Sequence, residues 1–231
     1  MHRAIAIETS GKLGSIAIAD SGRILAEEQF PHGFKHAAGA VAVIDRLTRS
    51  QNWTPRDLNE IYISAGPGSF TGLRVGVTIA KTLAFSVGAK LVAVPSAAVL
   101  AHNAPSGWQN CIIVLDAKRG QIFGARFANE SDQIKEIEPA HLDTIAEMLA
   151  RSPRPVHLIG EGIPFHQSAI PNDPAILITP EESWRAKASV VAQIGWQMSL
   201  AGQFADPQTL TPIYIRRPEA EEKWEGNSKI I

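Results

Sequence analysis

The sequence predicts an α/β layered fold, and three observations carry that expectation. Apolar residues first alternate in short runs and then switch to helical spacing. A glycine-rich loop stands between an apolar run and a long apolar helix, and the second half of the chain partly repeats the order of the first. With 231 residues, 45% of them hydrophobic and 19% charged, the chain can bury a core without metal or disulfide, and disorder over its length is excluded.

Three β-prone runs open the chain, at 4–8, 15–20 and 24–30. Gly11 and Gly14 separate the first two and Ser21-Gly22 the next, so they read as a meander of hairpins. Over 36–50 the period changes: Ala37, Ala40, Val41, Ile44 and Leu47 recur at helical spacing. A buried strand at 61–65 enters Gly66-Pro67-Gly68-Ser69, and a long helix follows at 70–87. A strand at 90–94 and a short helix opened by Pro95-Ser96 complete an order that builds an α/β layer.

The second half starts with the strand 113–116, which ends in Asp116 as the first strand ends in Glu8. A glycine turn and a second strand, 121–127, come next. Two readings stand: a duplication giving two similar lobes, or the chance recurrence of a common strand–turn–strand unit. A helix at 142–150, a strand at 156–159, the turn Gly160-Glu161-Gly162, a helix at 186–201 and a strand at 213–216 are expected beyond it. The expected division is an N-terminal lobe over 1–104, a C-terminal lobe over 105–217, and a polar tail over 218–231.

The densest motif is GPGSFTGLRVG at 66–76. A helix start after a glycine turn offers free N–H groups and the positive end of the dipole, with Ser69 or Thr71 as cap. The spacing does not make a phosphate loop: Gly72 is followed by Leu73, where a Walker-type loop needs lysine. Behind it, Gly72, Gly76, Ala80, Ala84 and Gly88 recur every four residues, a ridge that admits something close to the backbone. Leu73, Val77 and Phe85 are among the apolar residues of the other faces, and only Arg74 and Lys81 are charged. Such a helix is either a central core helix or one shared between its own sheet and a partner.

Glu8 and Asp116 are the carboxylates at matched strand ends; they either cap turns or face a cleft where they hold a cation through water. No metal-binding histidine pair and no nucleophile elbow is present in the sequence, and Cys111, opening an apolar strand, reads as a packed thiol. The single cysteine excludes a disulfide framework and suits a reducing cytoplasm. Lys and Arg total 22 against 23 acids, so the chain has no global field to draw in nucleic acid or an anionic membrane.

Five segments in order resemble the TsaB (YeaZ) family of threonylcarbamoyladenosine biosynthesis in bacterial tRNA. They are Ile5-Ala6-Ile7-Glu8-Thr9-Ser10, where the family more often has Asp, His36, the 66–76 motif, the run from Asp116 to Phe123, and Ile213-Tyr214-Ile215-Arg216. The resemblance implies the duplicated actin-like/hexokinase-like ATPase (ASKHA) fold and the duplication reading of the repeat. It implies a non-catalytic subunit docking TsaD, the catalytic homologue that modifies adenosine in ANN-decoding tRNAs, with TsaE, an ATPase, as a further partner. No cofactor is expected on this chain, ATP and metal belonging to the partner subunits. A homodimer alone, tRNA contact only through the complex, no membrane, and a cytoplasmic location are expected.

The docking surface implied is the pair of helices, through His36, Ala37, Ala40, Val41, Ile44 and Leu47 of the first and Phe70, Leu73, Arg74, Val77, Ala80, Lys81 and Ala84 of the second. Gly66, Pro67, Gly68, Ser69, Thr71, Gly72 and Gly76 form the family's motif loop. Glu8 and Asp116 are possible acids of a nucleotide cleft, and no catalytic or metal-ligating residue is expected. The competing reading is an autonomous ATPase or small-molecule kinase of the same fold. Lys118 and Arg119 argue against it, because they stand where close approach to phosphate favours small residues.

Overall fold

A computed structural model of the chain describes residues 2–31, 36–131 and 133–216; side chains at 31 and 36–38 lie outside that description, as does the expected tail. Three strands, β1 (Arg3–Glu8), β2 (Leu13–Asp20) and β3 (Arg23–Pro31), form the antiparallel meander. Then come α1 (His36–Ser50), β4 (Glu60–Gly66), α2 (Phe70–Val87), β5 (Lys90–Pro95) and α3 (Ser96–Ala101). β4 and β5 join β1 in parallel, giving the order β3-β2-β1-β4-β5.

The second sheet repeats this plan. β6 (Asn110–Asp116), β7 (Ile122–Glu130) and β8 (Gln133–Asp143) form its meander. α4 (Ile145–Ala150), β9 (Val156–Ile159), α5 (Ile163–His166) and β10 (Ile176–Ile178) follow, with β9 parallel to β6 and β10 parallel to β9. Its order, β8-β7-β6-β9-β10, is the first sheet's order with each strand replaced by its counterpart, so the duplication reading holds and the fold is the actin-like one.

Each sheet is covered on both faces. In β1, Ile5 and Ile7 face α1 and α2 together with Ile16, Ile61 and Ile63, while Ala4 and Ala6 turn to the other face with Tyr62 and Val92. Burying each such isoleucine contributes roughly 1.5–3 kcal/mol. The last helix, α6 (Ala188–Leu200), follows the second sheet in sequence yet packs on the first through Ala188, Val191 and Ala192. α4 and α5 cover one face of the second sheet and α3 the other, where Cys111 is buried and its thiol is pushed up to about 12 by desolvation.

Two expected elements need correction. The helix expected from 142 starts at Ile145, because Leu142 and Asp143 pair with Phe123 and Ile122 as the end of β8, and Thr144 caps the helix by accepting from the Glu147 N–H. The long strand β8 itself carries charged and half-buried residues that mask any alternation. The run 213–216 is no strand: Ile213 N–H donates to the Ala65 carbonyl at 2.8 Å, and beyond Ala205 the chain is a strap laid across the first lobe.

The docking list needs a larger correction. Ala40, Ile44, Leu47, Val77, Ala80 and Ala84 are buried in the chain's own core between the first sheet and the two helices, and Leu73 is buried beside Gly66. The small-residue ridge faces that same way. A Cβ at Gly72 would stand 2.0 Å from the Thr9 carbonyl oxygen, and one at Gly76 2.2 Å from Thr9 Oγ1. What approaches the helix backbone is therefore the end of β1. The outward arc keeps Phe70, Thr71, Arg74, Thr78, Thr82 and Phe85. By length and composition alone α2 suffices to cross a membrane, but its apolar arc is buried and its outward arc carries hydroxyls and a guanidinium. Among the described residues of this pair, Val41 at 53%, Phe85 at 82% and Phe70 at 38% are the exposed large apolar side chains. The side chains of His36 and Ala37 lie outside the described residues.

Candidate functional site

Four loops meet at the carboxyl ends of the parallel strands, where α/β sheets receive ligands. The first lobe supplies the β1–β2 turn and the loop 66–69; the second supplies the β6–β7 turn and the loop 160–162. Between them lies a cleft of about 370 Å³. Ser10, Lys12, Ser69 and Phe70 line one side, and Asp116, Lys118, Glu161 and Phe165 the other.

The glycine motif is built around Thr9 and Ser10. Gly66 has φ +117°, which favours glycine, and a Cβ there would meet the Ile213 carbonyl oxygen at 2.9 Å. A Cβ at Gly68 would stand 2.5 Å from the Ser10 carbonyl oxygen, which accepts from the Ser69 N–H at 2.7 Å. Ser69 caps α2 by accepting from the Gly72 N–H at 3.3 Å. The glycines of this motif thus seat the loop and helix on the first strand's turn; a phosphate is not needed to explain them.

The two acids share a backbone role and differ in setting. Ser10 N–H donates to Glu8 Oε1, as does Ser10 Oγ at 2.6 Å. Lys118 N–H donates to Asp116 Oδ1 at 3.1 Å, the same relation two residues on. Both acids cap the turn that follows them. Glu8 is wholly buried, and desolvation raises its carboxyl above the ordinary value against the Ser10 hydrogen bonds. It does not line the cleft, which corrects its assignment as a cleft acid. Asp116 does line it, with a side chain 14% exposed. Burial there opposes its charge, but hydrogen bonds from Lys118 and His166 outweigh burial and lower the carboxyl. Lys118 Nζ is 2.7 Å from Oδ2 and His166 Nε2 3.2 Å from Oδ1.

The actin-like resemblance would place a nucleotide between the lobes, against these turns, and three of their N–H groups are already engaged. The N–H groups of Ser10 and Lys118 are taken by Glu8 and Asp116, and that of Lys12 by Glu161, at 3.2 Å to Oε2. Lys118 and Arg119, with φ +63° and +55°, put two long side chains in the left-handed part of the second turn. Among the described residues no three His, Cys, Asp or Glu side chains gather as a metal would require.

Sequence reasoning missed Glu161, Lys12, His166 and Phe165. The turn at 160–162 was visible, and matching it to 66–68 by the duplication would have put Glu161 at the cleft. Gly160 and Gly162 answer to the same need as the first lobe's glycines: a Cβ would stand 2.3 Å from the Val114 carbonyl oxygen and 2.6 Å from the Asp116 nitrogen respectively.

Comparisons with known proteins agree with this architecture. A family model described as "TsaD: tRNA N6-adenosine threonylcarbamoyltransferase" matches residues 33–224. The tRNA threonylcarbamoyladenosine biosynthesis protein TsaB of Bacillus subtilis is 30% identical over 97% of this chain and 99% of its own length. The protein of the same name from Escherichia coli is 24% identical over the same shares. The solved structure of YeaZ from Pseudomonas aeruginosa superposes with a TM-score of 0.78 at 19% identity, covering 93% of this chain and all of that one.

Proposed function

The chain belongs to the TsaB (YeaZ) family of tRNA threonylcarbamoyladenosine biosynthesis proteins, and on that premise we propose that it is the non-catalytic subunit that docks a TsaD-type catalytic homologue. The observation that carries the reading is the self-satisfied cleft. Three of the turn N–H groups, those of Ser10, Lys12 and Lys118, already serve Glu8, Glu161 and Asp116. A chain that closes its own phosphate turns contributes shape, not turnover, and ATP and metal fall to the partner subunits, a TsaE-type ATPase among them.

The contact surface in this reading is the outward side of α1 and α2, not their buried arcs. Val41 and Phe85 are the exposed apolar anchors, with Phe70 and Arg74 near the helix start. The same surface would pair two copies when the partner is lacking, so a homodimer is part of the proposal. The near-neutral charge supports tRNA contact only through the assembled complex, in the cytoplasm where tRNA is modified.

Co-purification with the catalytic homologue, followed by a threonylcarbamoyladenosine assay omitting each subunit in turn, tests this. A retained complex, with product lost when this chain is left out, is expected. Full product formation without the chain overturns the proposal.

A further inference from the structure

Each lobe's hairpin turn is held by a group packed on the other lobe. The first turn is held by Glu161 of the second lobe, whose carboxylate accepts the Lys12 N–H at 3.2 and 3.4 Å. A Cβ on Gly11 would stand 3.7 Å from that carboxylate, so nothing separates Glu161 from the turn backbone. The second turn is held by Arg216, which donates to the Ala117 carbonyl and to Gln121 Oε1. Its strap is anchored to the first lobe by the Ile213–Ala65 hydrogen bond and by Arg74 Nε donating to Tyr214 Oη at 3.0 Å.

Cationic groups and acids both stand around Glu161: Lys12 and Arg185 favour its charge, Glu181 opposes it, and Asp116 lines the same cleft. Lys12 from one lobe and Lys118 from the other both reach the Phe165 ring at the cleft mouth, with their ammonium groups 5.9 and 5.2 Å from its centroid. A turn N–H and two ammonium groups at one cleft are the kinds of donor a polyanion takes. The chain's own carboxylates already use two of them: Glu161 accepts the Lys12 N–H, and Asp116 pairs with the Lys118 ammonium at 2.7 Å. Glu161 stays there although burial works against its charge, with Lys12 and Arg185 opposing that effect.

We propose that Glu161 is a built-in anion: a carboxylate plug that fills a latent pyrophosphate-binding position at the wall of the cleft between the lobes. Removing the plug frees the Lys12 N–H and deletes a negative charge beside the position a phosphate would take. The Arg216 tie remains, so the lobes stay in register and the fold is kept.

The test is a calorimetric titration of the full chain with inorganic pyrophosphate, and separately with ADP, at low salt. Wild type, Glu161→Ala and Glu161→Gln are compared, each first checked by thermal melting. Glu161→Ala is expected to bind at least about tenfold tighter than wild type, the effect of lifting a like charge from beside a bound anion. Adding Lys12→Met to it should abolish the gain. A gain with either probe supports the plug, and one confined to ADP means that the nucleoside also contributes. Affinity within about twofold of wild type for both probes, in folded Glu161→Ala, overturns it. Should the alanine chain fail to melt cooperatively, Glu161→Gln decides: it keeps the side-chain volume and loses the charge, and equal affinity to wild type is then the contradicting result.

Discussion

Glu8 and Asp116 end equivalent strands, each accepts the N–H two residues on, and there the likeness stops. Over Glu8 lies an 18-residue helix, α2, whose glycines let the Thr9–Ser10 backbone in; the acid is sealed and its carboxyl raised. Over Asp116 lies α5, a helix of 4 residues, too short to seal anything. That acid keeps an opening to the cleft, acquires Lys118 and His166, and is lowered. The same strand end behaves oppositely in the two lobes because of the helix placed after the parallel strand. Duplication sets where a carboxylate stands, and the covering layer sets which way its carboxyl shifts.

The largest effects should come from breaking the sealed side. Ala80→Glu puts an uncompensated charge between α2 and the first sheet and should cost more than about 3 kcal/mol, leaving no folded monomer by thermal melting. Val41→Glu and Phe85→Glu, on the bare faces of the same helices, should stay within about 0.5 kcal/mol of wild type while losing the catalytic homologue in co-purification. A stable, soluble Ala80→Glu chain would show that α2 does not seal the first lobe.

Turn glycines sharpen the contrast. Gly72→Ala should cost about 3 kcal/mol in urea unfolding despite a helix-propensity gain of about 1 kcal/mol, because the new methyl meets the Thr9 carbonyl. Gly120→Ala in the open second turn meets nothing within 4 Å, and should cost only the left-handed conformation, about 1 kcal/mol. Equal losses would erase the difference in covering that separates the lobes.

The smallest effects are those of pH, and they should have opposite signs. Glu8 is raised, so between the ordinary carboxylate value and its folded one the native chain holds the proton more tightly, and stability falls as pH rises through that window. Glu8→Gln removes this slope and should gain on wild type as pH rises. Asp116 is lowered, so its contribution is complete above the ordinary value and is lost as pH falls through the folded one. Asp116→Asn should lose about 1 kcal/mol at neutral pH, modest because Lys118 is exposed, and match wild type in strong acid. Urea midpoints from acid to neutral pH read both slopes.

Much of this was legible in the residues. The switch from alternating to helical spacing located α1 and α2 to the residue, and the matched strand ends of Glu8 and Asp116 announced the two lobes. The facing of α2 was not legible. Gly72, Gly76, Ala80 and Ala84 mark a close approach but do not say by what, and the answer is the chain's own Thr9. β8 escaped because its residues are charged and half-buried, and the strap because it bonds to the sheet through single contacts such as Ile213 to Ala65. Glu161 escaped because its partner is a backbone N–H on Lys12, far away in sequence, which no local pattern records.

The central proposal is that the chain's own carboxylates, by taking the Ser10, Lys12 and Lys118 N–H groups, leave catalysis to a partner. ATP turnover by the purified chain alone, measured beside Asp116→Ala, tests it most directly. No turnover above that of the variant is the predicted result. Turnover that Asp116→Ala abolishes would contradict the account and favour an autonomous ATPase.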